Sequence, residues 1–357
     1  HLIRQLFSNG ETLERQSDPL GNLYKTQDKT DRTYGPGGVI KKANGTEYHV
    51  DADGFLTKKT LTDGATWHYQ WDAHGQLVQV QRPDGDKVSF AYDAFGRRTT
   101  KTARGVTTEY TWDGDDLVHE RVRDNATGQV TKPVTTWVFE PGTFTPLAKL
   151  EGRKRYGIIT DHLGSPTVLA TEAGKIAWRA QLDVYGVPRE EPGVAAGSAG
   201  PEEATANPWR FPGQYEDAET GLYYNRFRYY DPELGRYLSE DPIGVVGGVA
   251  LYGYVHDPLG WVDWWGLTGI VYLRTDPLTG SEYVGKSKSS SQTRAWQATA
   301  VRDPRARHPQ SAGPRACRGE LDSGRGRPRR TREPALRDER QSVQGCWRMH
   351  RQVGRDQ

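Results

Sequence analysis

The sequence predicts a mostly β protein made of repeated hairpins. Four aspartates, Asp51, Asp72, Asp93 and Asp113, occupy equivalent positions at spacings of 21, 21 and 20 residues. Glycine is frequent, at 41 residues, and 10% of the chain is aromatic. Hydrophobic residues make up 34% of the chain, too few for a thick aliphatic core. Short strands joined by tight turns, with aromatic rings filling the surfaces between strands, fit these observations.

Each repeat predicts one hairpin. The units YHVDADGFL, YQWDAHGQL, FAYDAFGRR and YTWDGDDLV alternate apolar and polar residues around the aspartate, and a weaker copy starts at Asp18. Aspartate accepts hydrogen bonds from N–H groups two residues on and glycine adopts positive φ, so Asp-x-x-Gly predicts a turn. A second turn is predicted at Asn44-Gly45, Asp63-Gly64, Asp84-Gly85 and Arg104-Gly105. Because a lone hairpin is only marginally stable, neighbouring repeats must pair in one twisted sheet.

The regular repeats end after Leu117. Residues 118–155 predict irregular strands, whose prolines belong at edges or bulges. Residues 189–206, rich in Pro, Gly, Ala and Glu, predict a flexible loop. Further on, LYYNRFRYY predicts a single strand with rings on one face and Arg226 or Arg228 on the other.

The Y-x-x-D-x-x-G-x-L units resemble the YD repeats of bacterial RHS (rearrangement hot spot) proteins. YGIITDHLGSP and WRFPGQYEDAETGLYYNRFRYYDPELGRYLSEDPIG are similar to the RHS core segment, so the resemblance covers roughly residues 18–267. It implies a hairpin sheet that spirals into a shell, partial in this chain, over 1–155, and a core-associated domain over 156–267. It also implies a secreted or surface-delivered toxin polypeptide with an enclosed C-terminal effector. An immunity protein and secretion machinery are the partners expected with it.

Two aspartates stand in matching frames, Asp241-Pro-Ile-Gly and Asp263-Trp-Trp-Gly, with 18 residues between the frames. The same boxes in RHS cores form an aspartyl-protease-like site, which implies Asp241 and Asp263 as catalytic residues and self-cleavage after Leu267. Two adjacent carboxylates suit this reaction because one can stay protonated while the other ionises. No cofactor is expected for this core. The second box departs from the family pattern, since Trp264 stands where proline is usual.

A non-catalytic alternative remains open, because Asp-Pro-x-Gly is also an ordinary turn. The chain would then be a non-catalytic YD-repeat protein of the cell surface, or one that binds carbohydrate. Glycan binding without cleavage would favour this alternative.

The chain changes in character after Leu267. TGIVYLRTDPLTGSEYVGKS predicts a hairpin and resembles the start of a GIY-YIG nuclease, a small α+β domain placed at 268–300 and incomplete here. The resemblance implies Tyr283 as the general base or its partner, Tyr272 as a water-positioning phenol and Arg294 as the phosphate stabiliser. Lys286 and Lys288 would add affinity for DNA, the expected substrate. A complete domain would need Mg2+ or a similar divalent cation, whose ligands the sequence does not identify; a plain hairpin is the alternative.

Residues 301–357 contain 15 Arg, no Lys and 7 acidic residues, a net charge of +8. One interpretation is a disordered, nucleic-acid-binding tail. The other, which we favour, is out-of-frame translation, and it would leave the nuclease inactive as written.

Charge and cysteine content exclude little else. The whole chain carries a formal charge of +2, so residues 1–300 carry about −6. Both cysteines, Cys317 and Cys346, lie near the end, which excludes disulfides and cysteine-based metal sites before residue 317. No apolar run is long enough to cross a bilayer and no signal segment is visible. Since the chain starts at His1 within a β pattern, we expect it to be the C-terminal piece of a longer protein.

Overall fold

The computed structural model describes residues 2–7, 9–189, 204–267, 271–275 and 282–286. Their regular structure is β-strand, apart from two short 3-10 helices at Pro36–Gly38 and Gly244–Val246. The strands are β1 (Leu2–Leu6), β2 (Thr12–Ser17), β3 (Leu23–Tyr24), β4 (Arg32–Tyr34), β5 (Ile40–Ala43), β6 (Thr46–Val50), β7 (Leu56–Thr60), β8 (Thr66–Trp71), β9 (Leu77–Gln81), β10 (Lys87–Tyr92), β11 (Arg98–Ala103), β12 (Val106–Asp113) and β13 (Asp116–Asp124). They continue with β14 (Thr135–Phe139), β15 (Pro146–Glu151), β16 (Lys154–Thr160), β17 (Pro166–Thr171), β18 (Ile176–Arg179), β19 (Gln181–Leu182), β20 (Pro188–Arg189), β21 (Tyr215–Asp217), β22 (Leu222–Asn225), β23 (Arg228–Asp231), β24 (Arg236–Tyr237), β25 (Val271–Thr275) and β26 (Glu282–Lys286).

One antiparallel sheet of fifteen strands dominates the fold. It runs from β4 to β18, and every strand pairs with its neighbours in the chain. Smaller sheets are formed by β1–β3, β19–β20, β21–β24 and β25–β26. The mostly β fold class and the sideways pairing of the hairpins are therefore confirmed. The large sheet runs without a break through residue 156, where a core-associated domain was expected to begin, so that boundary stays a prediction.

Three of the four repeat aspartates, Asp51, Asp72 and Asp93, are turn residues, as predicted, whereas Asp113 is the last residue of β12. Asp51 Oδ1 accepts the N–H groups of Asp53 and Phe55 at 3.1 and 2.9 Å. Asp72 and Asp93 repeat this pattern at 2.9 Å. The glycine that closes the first turn, Gly54, has φ +85°, which a side chain would strain.

The four-stranded sheet β21–β24 is buried on both faces. One face, with Leu222, Tyr224 and Tyr229, packs on the large sheet. The large sheet contributes Tyr48, Leu56, Tyr69, Leu77, Val80 and Phe90 to this core. The opposite face, with Tyr223, Tyr230 and Tyr237, packs against Phe211, Tyr254 and Val255. Residues 211–255 therefore cover the large sheet and carry a second aromatic layer above it.

The expectation of one strand across LYYNRFRYY is wrong. The stretch forms two strands, β22 and β23, joined by a turn at Arg226 and Phe227, where Arg226 has φ 53°. The turn reverses the chain, so Tyr224 and Tyr229 become cross-strand partners. Rings consequently lie on both faces of the sheet, and Arg228 lies among them.

A buried ion pair joins the two sheets. Arg98, on β11, and Asp217, on β21, are 2.5 Å apart, and both side chains are fully buried. The guanidinium lies 4.5 Å from the ring centroid of Tyr224 and 4.8 Å from that of Tyr110. Lys101 also contacts Asp217, at 3.2 Å. The pair fixes where the four-stranded sheet lies on the large one.

Two predicted segments lie outside the described residues. The flexible loop predicted at 189–206 is described only at its two ends, and the Arg-rich residues 301–357 fall outside the structure's described ranges. Within those ranges, no helix combines the length and apolar character needed to span a membrane.

Candidate functional site

Asp241 lies in a turn directly after the four-stranded sheet. Its N–H donates to the Leu251 carbonyl at 2.9 Å, and its own carbonyl accepts the N–H of Gly244 at 2.7 Å. Its Oδ1 accepts the N–H of Ile243 at 3.0 Å. The Asp241-Pro-Ile-Gly box thus reuses the aspartate turn of the repeats. Unlike Asp51 and its equivalents, however, Asp241 is 5% exposed.

Arg228 brings the two predicted aspartates together. Its Nη2 lies 3.2 Å from Asp241 Oδ2 and 3.4 Å from Asp263 Oδ2. Its Nη1 donates to the Leu251 carbonyl at 3.1 Å, and its Nε donates to the Gly266 carbonyl. The guanidinium is fully buried and stacks 3.7 Å from the ring centroid of Tyr237. One guanidinium therefore contacts both carboxylates and two backbone carbonyls, those of Leu251 and Gly266.

Asp263 holds the backbone next to the predicted cleavage point. Its Oδ1 accepts the N–H of Leu267 at 2.8 Å, and its Oδ2 accepts the hydroxyl of Tyr237 at 2.9 Å. Burial raises the pKa of Asp263, and Asp241 adds to this, while the Arg228 guanidinium opposes it. Two buried carboxylates beside one guanidinium are an arrangement in which one carboxyl group can keep its proton while the other ionises.

The segment before Leu267 lies against the β22–β23 turn. The N–H of Phe227 donates to the Trp265 carbonyl at 3.1 Å. Gly266 has φ +67°, and a Cβ there would lie 2.5 Å from the Asn225 carbonyl oxygen, so a side chain does not fit. This close approach, together with the Asp263 bond, fixes the backbone on the N-terminal side of the predicted scissile bond.

Trp264, the departure from the family pattern, is held by aromatic neighbours. Its ring centroid lies 5.7 Å from that of Phe144 and 6.2 Å from that of Trp265. Its carbonyl lies over Gly213, where any Cβ would clash with it. The second box is therefore packed on two sides despite the missing proline.

Three residues of the site were not predicted in these roles. Arg228 was expected only to stack on rings, and Asn225 and Tyr237 were not singled out. A useful signal was nevertheless present, because an arginine among the tyrosines of LYYNRFRYY becomes buried and needs a carboxylate partner. His162, the histidine beside Asp161, lies away from the two aspartates: its ring nitrogen contacts the Leu259 carbonyl at 2.9 Å, and Asp161 forms the local turn.

Family comparison agrees with the architecture. Residues 1–246 match the model of the Teneurin YD-shell family. The chain belongs to the Teneurin YD-shell family. This YD-shell chain also has curated relatives that carry RHS names or are described as toxins, which confirms that it is an RHS/YD-repeat protein.

Three such relatives show how much of a longer protein the YD-shell chain represents. It is 33% identical over 302 residues to "Double-stranded DNA deaminase toxin A" of Burkholderia cenocepacia, covering 74% of this chain and 20% of the relative. It is 34% identical over 243 residues to "Probable deoxyribonuclease RhsA" of Dickeya dadantii, covering 64% and 16%. It is 33% identical over 273 residues to "Toxin protein Tse5" of Pseudomonas aeruginosa, covering 63% and 19%. The chain thus spans a fifth or less of these relatives.

Among solved structures, "Crystal Structure of TcdB2-TccC3 without hypervariable C-terminal region" aligns with a TM-score of 0.46 and 19% identity, covering 74% of this chain and 17% of that one.

The residues predicted for a nuclease are described in part. Val271–Thr275 and Glu282–Lys286 pair antiparallel, with Tyr272 opposite Gly285 and Arg274 opposite Tyr283. Arg294 and Lys288 lie outside the described residues. Over the ranges that are described, no group of three or more His, Cys, Asp or Glu residues could hold a metal ion. The nuclease roles and the divalent cation therefore stay predictions.

Proposed function

We propose that this chain is the C-terminal shell segment of an RHS toxin and that it cleaves its own backbone after Leu267. The observation that carries the proposal is the contact of one guanidinium nitrogen, Arg228 Nη2, with both Asp241 and Asp263. Asp263 also accepts the N–H of Leu267, and Leu267 is the residue whose carbonyl group belongs to the predicted scissile bond.

The chemistry is hydrolysis of the Leu267–Thr268 peptide bond. One carboxylate takes a proton from water while the oxygen adds to the Leu267 carbonyl carbon, and the protonated partner gives its proton to the carbonyl oxygen. The C–N bond then breaks, the Thr268 nitrogen takes a proton, and a new carboxylate end remains on Leu267. Because the scissile bond is already in place, no free energy is spent on gathering a substrate.

The released part would be the effector. The names of the relatives, a DNA deaminase toxin and a probable deoxyribonuclease, support a toxin that acts on DNA. We propose a GIY-YIG-like nuclease, with Tyr272, Tyr283 and Arg294 at its centre and a divalent cation as cofactor. Secretion or delivery out of the producing cell, an enclosed effector and an immunity protein follow from the same toxin assignment.

Denaturing electrophoresis of the expressed full chain tests self-cleavage. Wild type should yield a fragment that ends at Leu267, identified by mass, and Asp241→Asn and Asp263→Asn should stay at full length. Asp257→Asn is the matched control, because Asp257 also begins an Asp-Pro turn between the boxes and accepts the N–H of Leu259 without touching Arg228. Wild type that stays at full length contradicts the proposal and favours the non-catalytic surface protein.

The effector is tested separately on plasmid DNA. A chain with residues 301–357 restored to the correct reading frame should release a fragment that nicks DNA with Mg2+ and loses this activity with chelator or with Tyr283→Phe. The chain as written, with the out-of-frame residues 301–357 that we favour, should leave DNA intact. Intact DNA after incubation of the restored fragment with Mg2+ contradicts a nuclease and leaves the cleavage proposal unaffected.

A further inference from the structure

We propose that Arg15 is a positioning residue for the self-cleavage, because it holds the segment that joins the two aspartate boxes. Arg15 lies on β2, more than two hundred residues before either aspartate in the chain. The inference rests on the proposed function and adds to it a residue from the first sheet, β1–β3. Arg15 acts through Tyr254, which contacts the backbone of Asp263.

Arg15 binds two consecutive backbone carbonyls of the segment between the boxes. Its Nη1 donates to the His256 carbonyl at 2.9 Å, and its Nη2 donates to the Val255 carbonyl at 2.5 Å. The residue is 5% exposed. A buried guanidinium needs acceptors that replace the water it has lost, and these two carbonyls are such acceptors. The two bonds therefore fix where this part of the segment lies on the first sheet.

Tyr254 connects this contact to the candidate site. It directly precedes Val255, and its hydroxyl oxygen accepts the backbone N–H of Asp263 at 3.4 Å. Its buried ring stacks on that of Phe211, with centroids 5.4 Å apart and an angle of 12° between the planes. The ring of Tyr237, which donates to Asp263, lies 6.1 Å away. A shift of Val255 would therefore move Tyr254 away from the backbone of Asp263.

The first sheet is anchored by contacts other than those of Arg15. The hydroxyl of Tyr185 donates to the Glu14 carbonyl at 2.6 Å, and Gln5 Oε1 accepts the N–H of Val184 at 2.9 Å. Glu14 is the neighbour of Arg15 on β2, so the strand is held beside the arginine. Arg15 can therefore restrain the segment between the boxes, because the strand that carries it is fixed independently.

The segment between the boxes needs such a restraint. None of residues 247–262 belongs to a helix or a strand, so tertiary contacts must set the path that brings Asp263 back to Asp241. A displacement of about 1 Å at a reacting group can slow a reaction about a hundredfold. Loss of the Arg15 contacts should therefore slow the cleavage of chains that still fold.

Arg15→Met tests this inference, because methionine fills part of the same space but donates to neither carbonyl. The full chain is made in a short cell-free pulse, and fragment appearance is followed by timed electrophoresis. The rate constant of cleavage should fall about ten- to hundredfold, as expected for the loss of a hydrogen bond from a charged group. Urea titration of the same variant in the Asp241→Asn background measures how far the fold itself is weakened.

The matched control is Arg32→Met. Arg32 is 3% exposed, and its Nη1 and Nη2 also donate to consecutive carbonyls, those of Leu234 and Glu233, at 2.5 and 3.3 Å. These carbonyls lie in the turn between β23 and β24, outside the segment between the boxes. Arg32→Met should weaken the fold but keep the wild-type rate constant. Equal losses of rate in the two variants would show that Arg15 only stabilises the fold, and would overturn the inference.

A double-mutant cycle separates a route through Tyr254 from general destabilisation. Tyr254→Phe keeps the ring, removes the oxygen that accepts the Asp263 N–H, and should itself slow cleavage. Adding Arg15→Met to Tyr254→Phe should then slow cleavage much less than Arg15→Met slows the wild type, because the two residues act on one contact. Rate losses that simply multiply, or an unchanged rate in Tyr254→Phe, overturn the inference.

Two further results separate the possible failures. Wild type that does not cleave contradicts the proposed function itself, whereas a cleaving wild type with an unchanged rate in Arg15→Met contradicts only the present inference. If Arg15→Met shows no cooperative unfolding in urea, Arg15→Gln replaces it. Glutamine keeps a polar group but is too short to reach both carbonyls, so the rate should fall in the same direction, and an unchanged rate again overturns the inference.

Discussion

The ring of Phe144 lies 5.7 Å from the ring of Trp264, with an angle of 52° between the planes. A loop between two strands of the large sheet thereby contacts the box that contains Asp263. The first box has Pro242 at the equivalent position, where the pyrrolidine ring itself restricts φ. In the second box, the contact between Phe144 and Trp264 restricts the backbone where the first box has proline.

Phe144→Ala should therefore slow self-cleavage. An aromatic pair contributes about 0.5–1.5 kcal/mol, so we expect a decrease in rate of about three- to tenfold. Adding Trp264→Pro to Phe144→Ala should restore much of the rate, because proline fixes φ without the ring contact. Timed electrophoresis measures both, and Phe95→Ala, at a ring that is 72% exposed, is the control. Equal rates for the two alanine variants would contradict this role of Phe144.

Arg228→Lys should abolish cleavage although it keeps the positive charge. One ammonium group cannot contact both aspartates and the carbonyls of Leu251 and Gly266 at once. Leaving buried carboxylates without a full partner should also cost about 3–5 kcal/mol of folding free energy, measured by urea titration. Arg226→Lys, in the same hairpin but bonded to Asp115 and the Phe95 carbonyl, should cleave normally. Normal cleavage by Arg228→Lys would show that a point charge is enough.

Asp217→Asn should destabilise the contact between the two sheets. Arg98 would remain fully buried without its carboxylate partner, at a cost of about 3–5 kcal/mol. The exposed pair Arg4–Glu14 provides the control, since Glu14→Gln should cost less than about 1 kcal/mol. Urea titration of both variants in the Asp241→Asn background keeps the chain intact during the measurement. Equal costs at the two pairs would contradict the importance of burial.

Asp116→Asn should stabilise the fold at neutral pH and lose this effect in acid. Burial, with Asp115 and Asp113 nearby, raises the pKa of Asp116 to about 6. Below the pKa of Asp116 in the unfolded state, the carboxyl group is protonated in both states, so the substitution has no effect. As the pH rises above that pKa, the unfolded state ionises more easily than the folded state, and Asp116 destabilises the fold. For a half-buried group, the expected gain at neutral pH is about 1 kcal/mol. Urea titration measures the free energy of unfolding, and an equal gain at acidic and at neutral pH would exclude the ionisation of Asp116 as the cause.

The hairpin sheet could be predicted because its turns are local. Asp51 and its equivalents accept N–H groups within four residues, so each turn is encoded in its own short segment. The β22–β23 turn was missed because Arg226 and Phe227 carry no glycine, asparagine or proline, and Arg226 takes a positive φ against its preference.

The candidate site could be predicted only in its two aspartates. Their shared frame was visible in the sequence, whereas the contact of Arg228 with both depends on strands that pair across a turn that was not expected. The hydrogen bond from Tyr237 to Asp263 spans 26 residues and depends on the same arrangement. Such contacts follow from tertiary packing and leave no periodic signal.

The order of the large sheet has a consequence for synthesis. Its strands pair with neighbours in the chain, so hairpins can form one after another as they leave the ribosome. The bonds that seat the covering segment are different: Tyr252 reaches the Gly54 carbonyl across 198 residues, and Arg32 reaches the Leu234 carbonyl across 202. Asp241 and Asp263 can therefore come together only after the fifteen-stranded sheet has been translated. The long sequence separation of these contacts thus delays the proposed cleavage after Leu267 until the large sheet has been synthesised.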